Sequence, residues 1–267
     1  MTASTLPTTS ARGGPQARTL RKDRWWIMPT IYGLVLGSFV IYATWAVFVG
    51  KDFIITEGGR HIISPFYSPC VANRCEDATT PALGRAFGDF FLLSRLVILL
   101  GPLGFRATCY YYRKLYYRSF WFSPPACAVS EPHGKYSGER RFPLILQNSH
   151  RFWWYIAMLF NIMLAYDVVK AFDFGGSIGM SLGTLILLVN WLLILGYTLS
   201  CHSCRHIMGG RLNHFNRHPI RYKLWTGIST LNARHGLFAM TSLVFIALTD
   251  LYIRLAASTW IHDVRFF

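Results

Sequence analysis

Five stretches of this chain are apolar on every side over about twenty residues, the length of α-helix that crosses a hydrocarbon layer of roughly 30 Å. They cover residues 28–49, 84–105, 152–170, 179–200 and 236–258. None keeps the charged stripe that a helix on a soluble domain turns to water. The pattern predicts an all-α integral membrane protein with five transmembrane helices. The second stretch is interrupted by Asp89 and Arg95, which should face the bundle interior, and Pro102 is expected to bend or end it. Ahead of the first stretch, residues 1–27 carry Arg12, Arg18, Arg21, Lys22 and Arg24 among Thr, Ser and Pro, and read as a disordered tail. The apolar run behind them is too long for a signal peptide and lacks a convincing cleavage site, so it reads as a retained span. One membrane domain, 28–267, accounts for the rest.

Composition agrees: 52% of the residues are apolar and 15% charged, against about 25% charged in a soluble domain. A net charge of +15 would suit nucleic acid, but the basic residues concentrate in alternate loops, 106–151 and 201–234. The second of these holds Arg205, Arg211, Arg217, Arg221, Lys223 and Arg234 with no acid. Loop 50–83 instead mixes bases with Asp52, Glu57, Glu76 and Asp77. Lys and Arg resist translocation, which puts the amino terminus and both basic loops on the cytoplasmic side of the plasma membrane and the carboxyl terminus outside. Cys70 and Cys75 then lie outside, close enough for a short disulfide, while Cys109, Cys127, Cys201 and Cys204 lie on the reducing side or at its membrane edge. Residues 107–122, rich in Tyr, Phe, Trp, Arg and Lys, predict an interfacial helix, either an aromatic anchor or a docking surface.

The most chemically informative segment is Ser200–His206, SCHSCRH, closed by Gly209 and Gly210. If the fourth helix continues through it, Cys201 and Cys204 point within about 60° of each other, as two thiolates on one metal require. His202 and His206 also neighbour each other but point elsewhere, at about 150° to the cysteines. The imidazoles would come from His150, opening the third span, and His235, opening the fifth. Two thiolates and two imidazoles suit a structural zinc or a Rieske-type [2Fe-2S] cluster, and donor chemistry leaves both open. A local zinc site from Cys201, Cys204, His214 and His218 is a rival. A c-type haem is excluded because Arg205 stands where CxxCH needs His, and no histidine lies well inside a span to ligate a b-type haem. Asp250 and Arg254, four residues apart, are placed to pair along one helix face.

With SCHSCRH at the end of the fourth helix, LNARHGLFAM at the start of the fifth and five spans behind a basic face, the chain resembles the single-chain membrane anchor of actinobacterial, mycobacterial-type succinate dehydrogenase from about Arg24 onward. The resemblance implies a subunit of respiratory complex II. Succinate would be oxidised on a partner flavoprotein, and electrons would pass through an iron–sulfur subunit and a Rieske-type [2Fe-2S] cluster in the anchor to quinone, without haem. Carried over by position, the cluster would use Cys201 and Cys204, with His150 and His235 chosen on the helix-end argument and His202 and His206 in reserve. Ser149, Trp153 and Arg234, at the matching depth, are the expected quinone-binding residues. The competing reading is a zinc-stabilised membrane scaffold or transporter with a structural Cys2His2 site.

Overall fold

The computed structural model describes residues 21–56, 61–68, 91–129, 131–132, 138–210 and 212–267, with backbone only for 91–97. Helix α1, Ile27–Val49, follows Trp25 and Trp26 and ends at Gly50, whose φ of 66° takes the left-handed turn that a Cβ would disfavour. The chain then forms a short antiparallel hairpin, β1 (Ile54–Ile55) and β2 (Ile62–Ile63), pairing Ile54 with Ile63 and Ile55 with Ile62. Helix α2 runs Phe91–Thr108, and α3, Tyr110–Tyr116, is continued by a π-helical turn, Tyr117–Trp121. A 3-10 turn, Leu144–Ser149, leads directly into α4, His150–Ala171. Helix α5, Leu182–Leu199, is capped by Ser181, whose hydroxyl accepts from the Thr184 N–H. Two helices follow on the basic side, α6 (His202–Gly209) and α7 (Pro219–Asn232, with Pro at its start), before α8, His235–Ala257.

Four segments are helical, long and apolar enough to cross a bilayer: Ile27–Val49, Leu144–Ala171, Leu182–Leu199 and His235–Ala257. They correspond to the first, third, fourth and fifth expected spans, the second of them once its leading 3-10 turn is set aside and α4 is counted from His150. The start of the expected second span, 84–105, lies outside the described residues, as do residues 1–20 of the expected tail, Asp89 and the Cys70–Cys75 pair; of Arg95 only the helical backbone is described. The second segment differs from expectation at its end: α2 contains Pro102 and continues past it to Thr108. The neighbouring helix α4 supplies the packing that tolerates the break in the ladder.

The bundle packs α5 on α8, α4 on α5, and α2 on α4. Many large apolar side chains point outward, among them Ile41, Ile162, Val169 and Leu237, as they do when lipid is the solvent. Inside, small residues let backbones approach: a Cβ on Gly104 would lie 2.5 Å from the Trp153 ring, and one on Gly101 2.7 Å from Phe160. Replacing Gly104 with Val should separate α2 from α4 and cost about 1–3 kcal/mol, read as a lower thermal midpoint of the purified protein. An unchanged midpoint would mean that this crossing is not tight.

Helix α3 and its π-helical extension fall where an interfacial helix was expected, but α3 is more than a surface element. Tyr112 and Leu115 are buried in the main core, and the Tyr112 hydroxyl donates to the Ala239 carbonyl over 2.6 Å. The opposite face leaves Tyr110, Phe120 and Trp121 exposed. At the other end of the bundle the expected ion pair is present. Arg254 Nε donates to Asp250 Oδ2 at 2.7 Å, and the same carboxylate accepts from the hydroxyls of Tyr42 and Ser64.

Candidate functional site

At the basic end of the bundle two chain reversals have the same construction. Helix α2 ends at Thr108 and α5 just before Ser200; each of these hydroxyl residues is followed by a cysteine in extended conformation, Cys109 (φ −68°, ψ 129°) and Cys201 (φ −64°, ψ 142°), that precedes a new helix. A cysteine at such a break leaves the helix surface and turns toward the bundle axis. Both are buried, Cys109 at 3% and Cys201 at 1% exposure.

Two imidazoles meet these cysteines from the starts of α4 and α8, in a crossed arrangement. His150 Nε2 lies 3.1 Å from Cys201 Sγ, while its Nδ1 is 2.9 Å from the Thr108 hydroxyl. His235 Nε2 lies 3.4 Å from Cys109 Sγ, while its Nδ1 is 2.9 Å from the Ser200 hydroxyl. Each hydroxyl–cysteine step therefore holds one imidazole by Nδ1 and offers its thiol to the other. A partner at Nδ1 orients the ring and leaves Nε2 for its main ligand, the arrangement seen around metal-bound histidines. Aromatic rings set both planes: Phe105 stacks on His150 at 4.9 Å and 2°, and Tyr197 on His235 at 5.1 Å and 17°.

The Cys109 thiol also bears on that of Cys201. Burial pushes the Cys201 thiol up to about 12, and Cys109 adds to the shift; burial likewise raises the Cys109 thiol. Both are therefore protonated near neutrality, and binding a metal here would release those protons.

Of the four expected ligands, Cys201, His150 and His235 belong to this arrangement. Cys204 is buried in the same core cluster as Cys109 and Cys201, its backbone N–H hydrogen-bonds the Cys201 thiol, and its own thiol is raised by burial. The expected facing of Cys201 and Cys204 assumed one continuous helix. In the structure α5 ends at Leu199, and Cys201 caps α6 from outside it, its Sγ accepting from the Ser203 N–H at 3.4 Å. Sequence reasoning did not single out Cys109 for this arrangement, because it lies outside any CxxC. The available signal was the repeated Thr-Cys and Ser-Cys step at the end of an apolar helix.

The reserve pair His202 and His206 contact each other, with ring centroids 4.3 Å apart, and His202 acts electrostatically on both His150 and His235; burial lowers the His202 pKa, with His206 contributing. His214 and His218 are exposed while Cys201 and Cys204 are buried, so the local zinc loop is not assembled. Of the expected quinone residues, Ser149 and Trp153 are joined, Trp153 Nε1 donating to Ser149 Oγ at 3.0 Å, and Arg234 is exposed ahead of α8.

Among the described residues no three His, Cys, Asp or Glu side chains come together as a single-ion site. A mononuclear zinc needs four donors around one point. The two pairs are separate, and each joins one cysteine to one histidine.

Residues 27–259 match the family model described as actinobacterial succinate dehydrogenase subunit SdhC. A chain of the Mycobacterium smegmatis Sdh1 complex in the apo form is similar in structure, with a TM-score of 0.82 and 46% sequence identity, over 99% of this chain and 100% of that one. No curated protein matches.

Proposed function

Because this chain belongs to the actinobacterial succinate dehydrogenase SdhC family and is a membrane subunit of that oxidoreductase, we propose that it anchors the complex and carries electrons to quinone through a [2Fe-2S] group held at the crossed cysteine–histidine site. The observation that carries this reading is the pairing of Cys109 with His235 and of Cys201 with His150 at the ends of four helices. The donors suit the group: two thiols, two imidazoles whose Nδ1 atoms are already occupied, and a buried, carboxylate-free setting. Such a group supplies one-electron transfer, at a potential raised by its imidazole ligands relative to an all-thiolate one.

The remaining parts of the chain support that role. The basic end gives the docking face for an iron–sulfur subunit and its flavoprotein. There α7 is fastened to α6 by Arg221, which donates to the Met208 and Gly210 carbonyls, and by Arg205, which lies over the Trp225 ring. Its other face exposes Ile220 and Leu224 beside Lys223, as an element awaiting a partner does. The charge distribution supports a cytoplasmic basic face and amino terminus, an outer carboxyl terminus and a fifth span near 84–105. Oxidation of succinate to fumarate on the flavoprotein releases two electrons and two protons, and reduction of quinone to quinol takes up two of each.

The test is metal analysis of the complex purified with its copurifying subunits in mild detergent. Iron and acid-labile sulfide beyond the soluble subunits' share, with a Rieske-like EPR signal that succinate reduces, are expected. Stoichiometric zinc in their place would overturn the reading.

A further inference from the structure

Beside the crossed site stands a phenol whose hydroxyl the fold itself does not use. Tyr197, in the last turn of α5, is fully buried, and its hydroxyl has no hydrogen-bond partner among the described residues. The neighbouring phenol is different: the Tyr112 ring meets Tyr197 edge-on at 5.9 Å, and its hydroxyl donates to the Ala239 carbonyl. Nor does stacking explain the hydroxyl. The two imidazoles rest on equivalent rings, His150 on Phe105 and His235 on Tyr197, and Phe105 does the same packing with no polar atom. A buried polar group left unpaired opposes folding, so its presence on one ring of the two calls for a partner.

The surroundings of Tyr197 identify that partner. Its ring stacks on His235, whose Nε2 faces Cys109 Sγ, and it shares one buried cluster with Cys109. Burial pushes the Cys109 thiol up, while the Tyr112 N–H and then the Tyr197 hydroxyl are the strongest groups drawing it back, with the Arg106 charge adding to them. A group that favours the thiolate over the thiol is one whose donor is turned to the sulfur. Arg106 also lies over the Tyr197 ring at 4.7 Å, and a cation on that face makes the phenol a stronger donor. A neutral thiol is a weak acceptor, whereas a metal-bound thiolate is a strong one.

We propose that the Tyr197 hydroxyl is a donor kept for Cys109 Sγ, closing on that sulfur when it is a metal-bound thiolate and raising the reduction potential of the group bound there. The inference rests on the reading that Cys109 is a ligand of a [2Fe-2S] group. Reduction adds negative charge, part of which falls on the ligand sulfur, and a donor aimed at that sulfur binds the reduced form more strongly. Arg106 places a fixed positive charge on the same side. Cys201 Sγ accepts instead from the Ser203 N–H at 3.4 Å, a backbone donor, so side-chain control of the potential lies with the Cys109 half.

The experiment is a redox titration of the intact complex in mild detergent, followed by the EPR signal of the membrane subunit, with iron, acid-labile sulfide and thermal midpoint measured on the same samples. Tyr197→Phe should keep the wild-type iron content and thermal midpoint, because it removes a hydroxyl that the fold leaves unpaired. At a fixed ambient potential it should move the oxidised-to-reduced ratio about tenfold toward oxidised, a fall in midpoint potential of about 59 mV. Tyr112→Phe, which removes a bonded hydroxyl, should do the reverse, lowering the thermal midpoint and leaving the ratio within about twofold. An unchanged ratio in an iron-loaded Tyr197→Phe complex overturns the proposal. So does a Tyr197→Phe chain that fails to assemble, since the hydroxyl would then be holding the fold. Failure of the underlying reading looks different, because the wild-type complex would itself lack iron beyond the soluble subunits' share.

Discussion

Replacing Cys109 with Ala should abolish the [2Fe-2S] signal of the membrane subunit and lower succinate-driven quinone reduction by at least about a hundredfold, while Cys204→Ala should leave both nearly intact. The contrast follows from position. Cys109 Sγ stands 3.4 Å from His235 Nε2, whereas the Cys204 thiol makes no hydrogen bond to either imidazole among the described residues. His150→Ala combined with His235→Ala should match the Cys109 result, since it removes the imidazole from each pair. Loss of an orienting hydroxyl is milder: Thr108→Val should weaken metal retention about 10- to 100-fold, the usual effect of removing a group that holds a ligating histidine. Iron and sulfide per complex, EPR intensity and quinone reduction measured together decide the matter. Should Cys204→Ala lose the signal and Cys109→Ala keep it, the crossed arrangement is not the ligand set and the CxxC pairing expected from sequence returns.

Asp250→Ala should destabilise the chain by about 3–5 kcal/mol, the cost of leaving one member of a buried ion pair without its partner. Asp250 is fully buried and Arg254 nearly so. Arg254 reaches further, donating to the Lys51 and Ala46 carbonyls at 2.6 and 2.7 Å and lying 5.1 Å over the Trp45 ring. The pair thus ties α8 to the end of α1 and to the segment after it, and Ser64 adds the second strand of the hairpin. Without the carboxylate, the guanidinium stays charged among groups that only half satisfy it. Combining Asp250→Leu with Arg254→Leu should cost less than Asp250→Ala alone, because an apolar pair carries no desolvation debt. Membrane abundance and thermal midpoint measure both. A double variant weaker than the single one would show that the hydrogen bonds to α1, more than charge pairing, hold this end together.

The sequence by itself determined the solvent, the elements and the chemical inventory. Unbroken apolar runs located α1, α4, α5 and α8 to within a few residues, because in lipid the backbone satisfies its own hydrogen bonds and helix length follows bilayer thickness. The i, i+4 spacing of Asp250 and Arg254 sufficed to predict their pairing, since one helix face carries both. The site was only half legible. His150 and His235 were recognisable because helix ends share a height, but the partner of Cys201 was sought three residues away on an assumed continuous helix. Tertiary structure decided which side chains meet: α5 stops at Leu199, Cys201 turns out of the helix, and Cys109, 92 positions earlier in the chain, arrives from an equivalent break after α2. Such a meeting leaves no periodicity in the sequence, because it depends on where two helices end relative to each other in space.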